Sequence, residues 1–179
     1  MHEMLKFMRK HLAEPVVTVD NNLVESLMRI LDCYFNDYHE TEVKKVTADD
    51  IEDLEQSLEQ LFVFALTWSI GCTTNLEGRE KFNHKFRQMI PQKVGLPDEG
   101  SVYDFMWDKN KKEWIKWTDT VSDYHVDNKL SYNEIVVPTF DSIRMQYVKK
   151  ILLQNKKHVL CPGPTGTGKT INISGLVSH

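Results

Sequence analysis

The sequence predicts a mainly helical fold that runs through a connecting β-hairpin into the start of a phosphate-loop α/β unit. Three observations carry this expectation. From residue 1 to about residue 90, apolar side chains recur at three- and four-residue steps, the period of helices that bury one face. Tyr103, Phe105 and Trp107 then alternate with Asp104 and Met106, ahead of a polar "DKNKKE" and a "WIKW", which is a hairpin pattern. Finally, the β-prone "HVLC" leads directly into the glycine-rich "PGPTGTGKT".

Taken in order, the first helix spans Glu3 to Ala13, with Met4, Leu5, Met8 and Leu12 on one side, and it closes before Pro15 because the residue preceding a proline is driven out of the helical region. Asp20 and Asn21 are capping candidates for a second helix whose apolar face holds Leu23, Leu27, Ile30, Leu31, Tyr34 and Tyr38. Thr47 and Asp50 resemble a capping box. They would open a third helix carrying Ile51, Leu54, Leu58, Leu61, Phe62, Ala65 and Trp68, with Gly71 as its terminator. A fourth helix, Glu77 to Met89, buries Phe82 and Phe86 until Pro91 ends it. After the hairpin, residues 118–134 read as loop and "IVVPT" as a short extended segment. Phe140, Ile143, Tyr147 and Ile151 mark a last helix, and His158 to Cys161 reads as a strand.

Composition narrows the function classes. The chain has 179 residues, 41% hydrophobic and 27% charged, with 22 basic and 26 acidic side chains for a net charge of -4. A nucleic-acid binder normally shows a strongly basic face, and no such footprint is present. Lys109, Lys111 and Lys112 form the densest basic cluster and read as a solvated turn. The hairpin aromatics have no basic groove around them, so they read as packing groups and not as a base-stacking platform. Three cysteines, none in a CxxC pair, imply a reducing compartment. The charged N-terminus lacks the pattern of a secretory signal. The most apolar window, Leu61 to Gly71, is well short of the roughly 20 residues that cross a bilayer, and it reads as a buried helix.

Gly163, Gly168, Lys169 and Thr170 fill every fixed position of GxxxxGK[ST]. With glycine at about 7% of residues, a chance match in a chain this size occurs at roughly the percent level or below, so the motif points to nucleotide phosphates. Glycines let the backbone reach conformations closed to other residues and turn successive N–H groups toward an anion. Lys169 supplies a compact charge for the β- and γ-phosphates, and the Thr170 hydroxyl can ligate Mg²⁺. Hydrolysis further needs an acidic metal ligand on a later strand and a group that orients water. A βαβ unit takes about 30 residues or more, so no catalytic residue is assigned and a polypeptide of this length is expected to lack ATPase activity. Asp49 and Asp50 read as a helix N-terminus. The seven histidines form no HExxH or Cys/His ligand spacing; His84 and His158 read as surface or packing residues, and Cys72 as a small, half-buried residue after a helix.

"VDNNLVESLMRILDCY", "LFVFALTWSIG", "EGREKFNHKFRQ", the Trp-rich hairpin, "IVVPTFDSIRMQYV" and "GPTGTGKT", in that order, resemble a dynein heavy chain at the junction of the second and third AAA+ modules of its motor ring. The wording of "CTTNLEGREKFNHKFRQ" resembles the axonemal branch more than the cytoplasmic one. The resemblance covers nearly the whole chain. It implies that residues 1–93 are the helical lid subdomain of one module, 94–130 a linker with the hairpin, and 131–179 the start of the next module's large subdomain. In that family a ring of modules converts ATP binding and hydrolysis into movement along microtubules, and the nucleotide state of the third module regulates the cycle of the first. The implied site is Gly163, Pro164, Thr165, Gly166, Thr167, Gly168, Lys169 and Thr170 on the phosphates of ATP or ADP, Mg²⁺ on Thr170, and Val137, Pro138 and Thr139 beside the adenine. The implied partners are neighbouring ring modules and, through the full-length protein, intermediate and light chains and microtubules. The implied location is the cytoskeleton of the cytoplasm and the axoneme of the cilium. No nucleic-acid or membrane partner is expected.

Two other classes remain open from the residues alone. A non-catalytic module that docks on neighbouring AAA+ subdomains needs only the lid and hairpin. A free-standing P-loop kinase or GTPase needs much more sequence after the loop. The lid helices are expected to fold alone, and the segment after about Ile135 to gain order only with the rest of its sheet, since a lone strand and half a helix cannot bury both faces.

Overall fold

The computed structural model describes residues 1–36, 45–121, 137, 139–163, 165–166, 168–170 and 173. Helix α1 spans His2–His11 and buries Met4, Leu5 and Met8. It ends two residues earlier than the periodicity predicts, because the backbone turns extended at Leu12. Helix α2 spans Asp20–Phe35 and buries Leu23, Leu27, Ile30, Leu31 and Tyr34. Its N-cap is Val19, with no side-chain capping bond. The expected caps fail for a tertiary reason: the Asp20 carboxylate instead accepts a hydrogen bond from Arg9 Nε at 2.8 Å. Tyr38 lies outside the described residues.

Helix α3, Ala48–Ser69, opens with the expected capping box. Asp50 N donates to Thr47 Oγ1 at 3.2 Å, and Thr47 N donates to Asp50 Oδ2 at 2.8 Å. The first half of α3 leaves Ile51 and Leu58 exposed, whereas Leu61, Val63, Phe64, Ala65, Leu66, Thr67, Trp68 and Ser69 are all buried. A helix enclosed on every side is a central one, and its polar groups must find partners inside. Thr67 Oγ1 donates to Val63 O at 2.8 Å for that reason.

Gly71 follows α3 but is not a left-handed terminator, since it is absent from the positions with positive φ. It is required by close approach. A Cβ there would lie 2.7 Å from Phe82 Cε1 and 2.7 Å from Tyr103 Oη, and Tyr103 Oη donates to Gly71 O at 2.8 Å. Gly71→Ala is therefore expected to cost about 2–3 kcal/mol by overpacking, visible as a fall of several degrees in the thermal midpoint. An unchanged midpoint would mean that Phe82 and Tyr103 give way freely.

Helix α4, Leu76–Arg87, is capped by Asn75, whose side chain accepts from Gly78 N, and it buries Phe82 and Phe86. Strands β1, Phe105–Asp108, and β2, Glu113–Lys116, form the predicted antiparallel hairpin, with Phe105 opposite Lys116 and Trp107 opposite Trp114. Tyr103, Phe105 and Trp107 are 4%, 1% and 7% exposed. They are core groups, and no ring face is left to stack a base. The turn is held by Asp108 Oδ1, which accepts from Asn110 N at 2.9 Å and from Lys111 N at 3.1 Å.

Helix α5, Phe140–Gln154, is opened by a capping box between Thr139 and Ser142. Its Tyr147 ring lies 5.2 Å from Trp117 and 6.1 Å from Phe64, and Phe64 and Trp68 lie 6.5 and 6.1 Å from Trp117. Helix α5 thus packs on α3 and on the segment that follows β2. The predicted strand at His158 to Cys161 is not one: among the described residues, sheet pairing is confined to β1 and β2. A strand exists through its ladder hydrogen bonds, and with none to make, Leu160 is left 88% exposed.

Burial also sets a pH limit on this core. It pushes the Cys72 thiol up to about 11 and raises the Tyr103 and Tyr34 phenols as well. Groups whose folded pKa is raised contribute stability that is complete below their unfolded values, here about 9 and above, and lost as pH climbs through the folded values. Urea midpoints are expected to be level up to about pH 9 and to fall between about pH 9 and 11; a flat profile across that window would contradict the burial of these groups.

Candidate phosphate-binding site

The chain reaches the site from the end of α5. Asn155 caps the helix, Lys156 adopts a left-handed φ of 56°, and residues 157–163 lead outward without regular structure. In the loop itself Gly166 and Gly168 have φ of 83° and 71°, conformations that cost a side-chain-bearing residue about 1 kcal/mol or more. Among the described residues nothing lies within 4 Å of a Cβ built on Gly166, so that face of the loop is open to them. The backbone becomes helical at Lys169 and Thr170.

Of the predicted phosphate residues, Gly163, Thr165, Gly166 and Thr170 are exposed, and Gly168 and Lys169 are half-buried. Pro164 and Thr167, like Pro138, lie outside the described residues. The structure brings the two ends of the motif together: Lys169 Nζ donates to Gly163 O at 3.0 Å. An ammonium drawn across the loop onto a neutral carbonyl sits where an anionic oxygen, the stronger acceptor, could take it over. Positive-φ glycines, an open face, a lysine ammonium and an exposed threonine hydroxyl form a donor set suited to a phosphate chain and its metal.

The predicted adenine-side residues stand apart from the loop along the chain. Val137 is 61% exposed. Thr139 is committed locally, its Oγ1 accepting from Ser142 N at 3.2 Å as the cap of α5. These residues precede α5 and the loop follows it, so 15 helical residues, about 22 Å of helix, separate them along the chain. Asp32 of α2 and its C-cap Asn36, which meet Lys157 and Asn155 on the route into the loop, carry no motif in the sequence. Among the described residues no cluster of three or more His, Cys, Asp or Glu could hold a metal ion, and no helix is long and apolar enough to cross a membrane. Cys33, Cys72 and Cys161 are free thiols.

A helical unit continuing through a hairpin into a glycine-rich loop of the P-loop pattern is the layout of an AAA lid followed by the start of a P-loop region. The chain belongs to the dynein heavy chain family: residues 1–119 match the dynein heavy chain AAA lid domain, and residues 124–179 match the P-loop containing dynein motor region. Its relatives include dynein axonemal heavy chain 1 of Homo sapiens, 34% identical over 194 residues covering 97% of this chain. The Mus musculus protein of the same name is 33% identical over 95% of the chain, and dynein axonemal heavy chain 3 of Homo sapiens 29% identical over 98%. The axonemal reading of the sequence agrees with these relatives. The chain spans 4% of the length of the heavy chain 1 proteins and 5% of human heavy chain 3.

Proposed function

We propose that this chain is the junction of the second and third AAA+ modules of an axonemal dynein motor ring, and that its loop holds a regulatory nucleotide. In this reading residues 1–93 form the second module's lid, 94–130 the linker, and 131–179 the start of the third module's large subdomain. The loop from Gly163 to Thr170 binds the phosphates of ATP or ADP, Lys169 neutralises the β- and γ-oxygens, and the Thr170 hydroxyl takes a place on Mg²⁺. The segment at Val137 to Thr139 lies along the adenine. The bound nucleotide supplies charge and contacts that change between its triphosphate and diphosphate forms. Through the full-length protein this state would govern microtubule release in the axoneme of the cilium, with neighbouring modules and the intermediate and light chains as partners.

The observation that carries the proposal is the Lys169 to Gly163 closure at 3.0 Å over a loop whose Gly166 face is open. Calorimetric titration of the 179-residue chain with Mg-ATP and Mg-ADP tests it. Saturable one-site binding is expected; the absence of heat with either nucleotide would remove the nucleotide reading for this chain. A second reading, a docking module without a ligand, draws on Ile51, Leu58, Leu153 and Leu160, which are 51%, 44%, 48% and 88% exposed. It predicts capture of neighbouring ring subdomains with no dependence on nucleotide.

A further inference from the structure

The end of α2 meets the route into the phosphate loop at two points that flank one strained residue. Lys156 holds a φ of 56° without being glycine. On one side of it, Asn155 Oδ1 accepts from Asn36 Nδ2; on the other, Lys157 Nζ pairs with Asp32 Oδ2 at 3.0 Å. Asp32 is in the last turn of α2 and Asn36 is its C-cap with helical backbone, four positions on, so the two lie on the same side of the helix end. Lys156 N and Lys157 N bond back to Leu153 O and Leu152 O at 3.0 and 2.9 Å, a reversal that usually employs glycine. About two turns earlier along α5, Tyr147 Oη lies 3.3 Å from Tyr34 Oη, which fixes the register of the two helices.

A lysine does not hold a left-handed conformation unless its surroundings over-determine it. The two flanking contacts do this, and the direction taken by residues 158–163 depends on the turn they hold. We propose that Asp32 and Asn36 are positioning residues for the phosphate loop, acting through Lys157 and Asn155 on the Lys156 turn. This rests on the nucleotide-binding reading above and deepens it: the lid's second helix sets how much of the loop population is aimed to receive phosphate.

The expected size follows from the exposure of the pair. Lys157 and Asp32 side chains are 28% and 45% exposed, and a pair so solvated shifts an equilibrium by only a few-fold. Charge reversal adds repulsion, and a smaller competent fraction raises the apparent Kd in proportion. Asp32→Lys in the full 179-residue chain is therefore expected to weaken Mg-ADP binding by about three- to tenfold. The double swap Asp32→Lys with Lys157→Asp is expected to return the affinity to within about twofold, and the loss in the single variant to shrink in about 1 M salt.

A purely structural role for Asp32 would not be restored by inverting the pair. Wild-type affinity in Asp32→Lys, or a loss that the swap leaves in place, overturns the proposal. If the unaltered chain binds no nucleotide, the function above fails, and the clamp is then read by amide exchange at Asn155, Lys156 and Lys157. Faster exchange in Asp32→Lys that slows again in the swap sustains the positioning role. Unchanged exchange at those amides overturns it.

Discussion

Replacing Trp117 by alanine is expected to destabilise the chain by about 3–5 kcal/mol, the range for deleting a large aromatic from a packed core. Trp117 is 2% exposed and follows β2 directly. Its ring lies within contact range of Phe64 and Trp68 of α3 and of Tyr147 of α5. It is therefore shared by the hairpin, the central helix and the last helix, and no single neighbour can move in to fill its volume. The loss should be largest for α5, whose described burial is confined to Val148 and the half-buried residues around Tyr147. Urea unfolding should show a lower midpoint. Amide exchange should show α5 opening before α3. A double-mutant cycle with Tyr147→Phe checks the shared cluster: that change keeps the ring and removes only the hydroxyl facing Tyr34, and because Tyr147 touches Trp117 the two changes should couple by about 0.5 kcal/mol or more. Equal protection of α5 in wild type and Trp117→Ala would mean that α5 is held by something other than this cluster.

Lys169→Ala is expected to lower the affinity for Mg-ATP by about ten- to a hundredfold, as befits removal of a charge-assisted bond to phosphate. The fold should not change, because Lys169 is half-buried at the surface and its recorded bond to Gly163 O is local to the loop. The variant separates the two readings of function. If its thermal midpoint is that of the wild type while binding is lost, the loop is a preformed site. If binding survives, phosphate is held by backbone N–H groups alone, and the lysine has some other task.

Much of the fold was legible because the signals are local. The capping box at Thr47 and Asp50, the alternation of Tyr103, Phe105 and Trp107, and the four fixed positions of the phosphate loop each lie within a few residues of chain. The first three helices and the hairpin follow from periodicity in the same way. What failed also has a common cause. Asp20 has the residue type and position of a cap, but Arg9, eleven positions earlier, holds its carboxylate. Gly71 has the residue type of a helix stop, but Phe82 and Tyr103 close on it and leave no room for a side chain. His158 to Cys161 has the residues of a strand and, among the described residues, no strand to pair with.

By itself the sequence determined the helices, the hairpin and the phosphate motif, because each is written in spacings that a single stretch of chain contains. Only the tertiary structure decided where α5 rests and which residues of α2 meet the segment leading into the loop. Tyr34 meets Tyr147 across 113 positions, Asn36 meets Asn155 across 119, and Asp32 meets Lys157 across 125. Contacts that distant leave no periodic trace in either partner, and they form only when burial of the aromatic cluster brings the two helices side by side.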